Sequence, residues 1–215
     1  RELNISVIEV SRKLGDITEK SLWKELPKSD VVIHLAGATY VPESWLKPSE
    51  FVDINVGGTI NALEYCARHN ARMIFAGAYI YGIPEELPIK ETHQKDPNNP
   101  YALSKYLAEQ ACKFYSDHMN IKVTILRFFN IYGAGQDKSF LIPSIIAQIK
   151  RDNNIILKDL GPKRDYVYVN DAVNAIVKSV LLKKAFSIIN IGSGVSYSVR
   201  QVVDIIQKNM NTNLS

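Results

Sequence analysis

What most constrains the fold of this chain is a series of short, almost wholly apolar runs, each followed by a stretch with helical character. Val31-Val-Ile-His-Leu35 is the clearest of them. An unbroken Val/Ile run without polar alternation suits a strand covered on both faces, as in a parallel sheet. Arg72-Met-Ile-Phe-Ala76 and Lys122-Val-Thr-Ile-Leu-Arg127 repeat the pattern, and residues 188–191 give another such run. Shorter strands are expected at 5–10 and 155–158. Helices are expected at 19–26, 49–69, 99–118, 139–149, 171–182 and 198–208, the first capped by Asp16 or Thr18. Strands alternating with helices predict an α/β fold with a doubly wound parallel sheet. Such sheets bind ligands beyond the carboxyl ends of their strands. Ala36 and Gly37, Gly77 to Tyr79, and Phe128 to Asn130 all fall at such ends.

With 215 residues, 46% of them hydrophobic and 22% charged, the chain can bury a substantial core. The net charge of +4 is spread among acids with no basic stripe, so no nucleic-acid partner is expected. No apolar run approaches the roughly 18 residues of a membrane span, and the first residues do not read as a signal peptide. Cys66 and Cys112 each lie in an expected helix and read as small core residues in a reducing, cytoplasmic setting. His34, His69, His93 and His118 are scattered, so no metal site is expected. His34, inside an apolar strand, reads as a packed core histidine. The chain begins with Arg rather than Met, which suggests that it starts inside a longer product.

Tyr101-Ala-Leu-Ser-Lys105 directly follows Asn98-Asn-Pro100. Asn caps a helix and Pro fits its first turn, so Tyr101 opens a helix with Lys105 one turn on, on the same face. A nearby ammonium and the helix dipole both favour the phenolate. Tyr101 is therefore a candidate general acid/base, and an ordinary exposed i,i+4 pair is the plainer alternative.

Around this pair stand Asp16-Ile17, Val32-Ile-His-Leu-Ala-Gly37, Asn55-Val-Gly-Gly-Thr59, Tyr81-Gly82, Arg127-Phe-Phe-Asn-Ile-Tyr-Gly133 and Arg164-Asp-Tyr-Val-Tyr-Val169. In this order they resemble the extended short-chain dehydrogenase/reductase family, the NAD-dependent epimerases and dehydratases of nucleotide sugars. The resemblance implies a Rossmann-like domain over 1–130, to which 186–209 return, and a partial substrate-binding region over 131–185. It implies NAD or NADP as cofactor, a nucleotide-sugar substrate and a homodimer formed by the helices near 49–69 and 99–118. Tyr101 then exchanges a proton with a sugar hydroxyl while hydride moves to or from the nicotinamide, and Lys105 contacts the nicotinamide ribose. Asp16 and Ile17 match the adenine end. Leu35, Ala36, Gly37 and Phe128 match positions lining the cofactor, and Asn55 holds the active-site backbone. Asn130 and Arg164 match positions that hold the substrate diphosphate, a task suited to a guanidinium. Plainer readings stand beside these: Asp16 as a helix cap, Asn55 as a satisfied core amide, Arg164-Asp165 as a surface ion pair.

Two departures from the family pattern matter. Position 77, where the family carries Ser or Thr, is glycine. Loss of such a donor costs about 3 kcal/mol, roughly a hundredfold in rate, unless water or Tyr79 substitutes. Ala78 and Tyr79 replace the Asp-Glu of the sugar 4,6-dehydratases, which disfavours that reaction. Second, the family's opening strand and glycine-rich turn do not occur, so the sheet is expected to lack its first βα unit, with residues 1–12 as the second strand. At 10–13, Val-Ser-Arg-Lys has no ribose-binding acid, and Arg12 could pair a 2′-phosphate, a hint of NADP. The leading expectation is an epimerase/oxidoreductase. The alternatives are a catalytically impaired binding or regulatory relative, and a 4-keto sugar reductase.

Overall fold

The computed structural model describes residues 5–151 and 154–214. Its centre is a parallel sheet of β1 (Val31–His34), β2 (Arg72–Ala78), β3 (Val123–Phe128) and β6 (Phe186–Ile191), in the order β1-β2-β3-β6. Register runs Val31↔Arg72, Met73↔Val123 and Val123↔Phe186, so all four strands end at one edge. Every residue of β3 is buried, as its unalternating sequence requires.

Successive residues of β2 face opposite layers. Met73 and Phe75 enter a core shared with Leu63, Cys66, Ala108 and Cys112, which belong to α4 (Gly58–His69) and α5 (Pro100–Met119). Ile74, with Leu126 and Phe128 of β3, packs beneath α7 (Val169–Val180) through Ala172 and Ile176. Each fully buried Leu or Phe in these layers contributes about 1.5–3 kcal/mol. The helices α4, α5 and α8 (Val199–Met210) each end at an asparagine with positive φ: Asn70, Asn120 and Asn211. That left-handed residue closes the last turn.

A second, smaller sheet joins β4 (Asn130–Tyr132), β5 (Lys163–Tyr168) and β7 (Ser196–Ser198), with β5 in the middle. The helices α6 (Leu141–Arg151) and α8 pack together through Ile145, Ile149, Val202 and Val203.

Several elements differ from the sequence expectation. Described residues of the segment expected as a first strand, from Ile5 to Val10, form no strand, and Ile5, Val7 and Ile8 are exposed. A strand exists through its ladder partners, and none faces this segment; residues 1–4 of that expectation lie outside the described residues. The edge strand β1 pairs with β2 alone among the described residues, leaving Ile33 45% exposed. Residues 155–158 form no strand, and β5 takes the middle of the small sheet instead. The helix expected at 49–69 is interrupted: α3 (Pro48–Val52) passes into a π-helical turn, Asp53–Gly57, before α4. Residues Lys20–Glu25 form α1, and Val41–Ser44 form a short unexpected helix, α2.

Candidate active site

Asn99 caps α5 as its sequence predicts: its Oδ1 accepts from the amide of Ala102 at 2.9 Å, and Pro100 occupies the first turn. Tyr101 and Lys105 therefore lie one turn apart, at the edge where the large sheet's strands end. Tyr101 packs edge-on to Phe51 of α3, with centroids 6.5 Å apart. Lys105 is buried, and its ammonium lies 4.3 Å from the centroid of Phe75.

Asn55 ties this corner together from the π-helical turn. Its Nδ2 donates to the Ala38 carbonyl at 3.0 Å and to Ser104 Oγ at 2.8 Å, while its Oδ1 accepts from the Ala38 amide at 2.8 Å. Ser104 donates in turn to the Tyr101 carbonyl at 2.8 Å. One amide thus fixes the loop after β1 to the first turn of α5. A Cβ on Gly37 would sit 2.6 Å from Asn55 Oδ1 and 4.0 Å from Lys105 Nζ, so only glycine admits this approach. Asn55 is a satisfied core amide and a site organiser at once. Ser104 escaped the sequence reading, although its place inside Tyr-x-x-Ser-Lys was the available signal.

His34 lies behind the corner. The Thr59 hydroxyl donates to the Asn55 carbonyl at 2.6 Å, which leaves its oxygen to accept from His34 Nε2 at 3.2 Å. That assigns the neutral tautomer with hydrogen on Nε2. Burial, then the charge of Lys105, pulls His34 down to about 3. It is the packed core histidine expected.

The electrostatics of the pair differ from expectation. Burial pushes Tyr101 up to about 12, and no ammonium offsets it, because that of Lys105 lies over the Phe75 ring. Burial also pulls Lys105 down to about 8, against the opposing influence of Cys112 and Glu109. Desolvation outweighs the helix dipole and the neighbouring charge here.

Gly77 faces inward. A Cβ there would meet Glu109 Oε1 at 3.0 Å, Ile125 Cγ2 at 3.1 Å and the Leu126 carbonyl at 3.2 Å. The space belongs to a buried ion pair that sequence reasoning missed, Glu109 with Arg127 at 2.8 Å. Tyr79 does not stand in for the missing hydroxyl: its own OH donates to the Gly82 carbonyl at 2.8 Å, and its ring meets Phe129 edge-on.

Asn130 and Arg164 come together with Gln136 and Tyr166 around a cavity of about 250 Å³ bordered by Phe140 and Leu141. Asn130 donates to the Asp165 carbonyl at 3.0 Å. The Asp165 carboxylate accepts from the amides of Ser193 and Gly194, 2.8 Å each, which replaces the surface ion pair with Arg164 considered above. Arg164 is exposed, with Nη1 donating to the Lys163 carbonyl at 2.8 Å.

The remaining candidates are dispersed. Asp16 Oδ1 accepts from the amide and hydroxyl of Thr18, at 2.8 and 2.9 Å, so it makes the turn before α1. Those bonds, and the charge of exposed Arg12, hold its carboxyl below the usual range. Ile17 packs into the α4 layer, where a Cβ on Gly58 would come within 2.5 Å of its Cδ1. Leu35 is exposed and Phe128 is buried beneath α7. Among the described residues, no cluster of His, Cys, Asp and Glu is arranged to hold a metal ion. No described helix is long and apolar enough to cross a membrane.

Comparison with known proteins supplies the frame for this geometry. The chain is 38% identical over 202 residues to a putative UDP-glucose 4-epimerase of Methanocaldococcus jannaschii, covering 90% of this chain and 66% of that protein. It is 35% identical over 208 residues to the GDP-6-deoxy-D-mannose reductase of Pseudomonas aeruginosa, covering 90% and 65%. The chain thus spans about two thirds of the length of these curated relatives. Among solved structures, the P. aeruginosa protein RMD complexed with NADPH superposes with a TM-score of 0.85 at 32% identity, covering 93% of this chain and 73% of that one. The UDP-glucose 4-epimerase of Thermotoga maritima with UDP-glucose gives 0.88 at 26%, covering 93% and 68%. The NAD dependent epimerase/dehydratase family model matches residues 2–192, and the chain belongs to that family.

Proposed function

We propose that this chain carries the proton-transfer and substrate-facing part of an NAD(P)-dependent nucleotide-sugar epimerase or oxidoreductase. The observation that carries the reading is the corner where Tyr101, Lys105 and Gly37 meet through Asn55 and Ser104. A nicotinamide dinucleotide fits these residues. Lys105 brings a buried ammonium beside a glycine backbone that a ribose can approach closely, and Ala36 and Leu35 continue that backbone. When bound, this cofactor takes up and returns hydride at a sugar carbon. Tyr101 handles the accompanying proton: its resting form is the hydroxyl, which donates the proton as a carbonyl is reduced, and in the reverse direction the oxygen so deprotonated takes a proton from the sugar hydroxyl as the carbonyl forms. Asn130 and Arg164 hold the diphosphate, with Arg164 supplying a planar pair of donors at the cavity. The relatives' names point to UDP- and GDP-sugars, and their structures to NAD or NADPH. The division into a dinucleotide-binding part, 1–130 with 186–209, and a substrate part, 131–185, belongs to this reading. So does a homodimer through the helices within 49–69 and 99–118, where Leu103, Leu107 and Phe114 of α5 are exposed.

A 4-keto sugar reductase is the second reading. It is favoured by the raised pKa of Tyr101, which keeps the hydroxyl protonated and ready to donate. Cofactor accounting separates the two in the protein that carries this chain. An epimerase returns its dinucleotide unchanged after each turnover, whereas a reductase consumes NADPH in proportion to product. Tight binding of nucleotide sugar with neither outcome would instead favour a binding or regulatory role and count against both.

A further inference from the structure

Gly77 and the buried pair beside it have a role that neither reaction assigns. Arg127 donates from Nε to both oxygens of Glu109, at 3.0 and 3.1 Å, and from Nη2 to Oε2 at 2.8 Å. Its Nη1 donates to Tyr81 Oη at 2.6 Å and to the Glu91 carbonyl at 3.2 Å. Tyr81 passes the contact on to Asn190 Oδ1 at 2.6 Å, and the Asn190 amide donates to Glu91 Oε1 at 2.8 Å. Glu109 lies one turn beyond Lys105 on the buried face of α5. One guanidinium therefore joins the helix that carries Tyr101 to the loop feeding it and to β6.

We propose, on the reading of Tyr101 and Lys105 given above, that Glu109 is a positioning residue for Lys105. It is locked at its depth by Arg127, and position 77 is glycine because the carboxylate occupies the space of a side chain. A buried charge held by three charge-assisted bonds cannot shift to accommodate a neighbour without losing one of them. The groups facing Lys105 are Glu109 and Cys112 on α5, His34 on β1 and the Phe75 ring on β2. Those facing Glu109 are Arg127, Tyr81, Lys95, Lys105 and Cys112. Of these, Glu109 is the carboxylate placed to retain the ammonium against burial.

The test is an NMR titration of the Lys105 side chain in the protein that carries this chain, with thermal melting alongside. Glu109→Gln should lower the Lys105 midpoint by about half a pH unit or more. The double variant Glu109→Gln/Arg127→Met removes the stranded guanidinium, so it should recover Tm while leaving the Lys105 midpoint low. It carries the test alone if the single variant does not fold. Gly77→Ala and Gly77→Ser should both lower Tm by about 5 °C or more, and neither should speed turnover. An unchanged Lys105 midpoint in a double variant that melts normally would reduce the pair to packing and overturn the proposal. So would a gain in rate with Gly77→Ser but not Gly77→Ala, which would make position 77 a missing hydroxyl. The titration and melts need no turnover, so an inactive parent protein would count against the proposed reaction and leave this result readable.

Discussion

Tyr101 and Lys105 are set by burial before anything binds. The chain holds Tyr101 protonated, near 12, and Lys105 near 8. Tyr101→Phe removes the phenolic hydroxyl and with it the exchangeable proton, so kcat should fall by about 10²–10⁴ with dinucleotide affinity and Tm retained. Steady-state kinetics beside a binding titration would check both halves. His34 makes a second residue-level prediction. Its folded pKa, about 3, lies below the unfolded value near 6.5, so the unfolded chain binds the extra proton between them. Stability from this site is complete above about pH 6.5 and is lost as pH falls toward 3, by up to about 1.4 kcal/mol per pH unit. Denaturant melts between pH 4 and 7 should show that slope, and His34→Gln, which keeps a donor for Thr59, should flatten it. An unchanged slope in that variant would remove His34 as its source. Sequence alone placed Tyr101 and Lys105 one turn apart on one helix and His34 in the core, because spacing and apolar context report directly on a helix face and a buried strand. It misjudged the direction in which the Tyr101 pKa moves, because desolvation depends on what packs overhead, and Phe51 and Phe75 arrive from other elements.

At the level of elements, two joints place the site. The first is the cap of α5: Asn99→Ala should cost about 1 kcal/mol and loosen the turn that carries Tyr101. The second is the π-helical turn at 53–57, which carries the Asn55 side chain to the loop after β1. Asn55→Ala leaves the Ala38 amide and the Ala38 carbonyl without their side-chain partner, while Ser104 keeps its bond to the Tyr101 carbonyl. At about 1–3 kcal/mol for each group left unpaired, a loss of about 2 kcal/mol or more is expected in chemical denaturation, with Lys105 less well ordered. A cost below 1 kcal/mol would mean that water replaces the amide and that the joint does not organise the site. The α5 cap was legible because Asn-Pro is a local signal. The π-turn was not: 49–69 reads as one helix from its composition, and the extra residue is stabilised by contacts with Ala38 and Ser104, distant in sequence. The three helix-ending asparagines were a local signal left unused. The strands β4, β5 and β7 were not separated from loops, since their partners are 30 or more residues away and their burial is incomplete.

For the whole molecule, the sheet gathers the ends of β1, β2 and β3 beside α5, and the smaller sheet brings Asn130 and Arg164 to one cavity. Doubly wound topology was readable from the alternation of apolar runs and helical stretches, whereas the packing of Ile17 and Phe128 into the two core layers was not. Asp16 serves its own turn, and Ile17 and Phe128 serve the two core layers. In the function proposed above, Tyr101 exchanges a proton with a nucleotide sugar while hydride passes to or from a bound nicotinamide. The most direct measurement follows the near-ultraviolet absorbance of reduced nicotinamide, together with product formation. It is made on the protein that carries this chain, loaded with NAD or NADPH and mixed with UDP- and GDP-sugars. Turnover with at least one of these sugars is expected, with a loss of about a hundredfold or more in Tyr101→Phe at unchanged dinucleotide occupancy. A dinucleotide-loaded Tyr101→Phe protein that turns over as fast as its parent would contradict the proposed function.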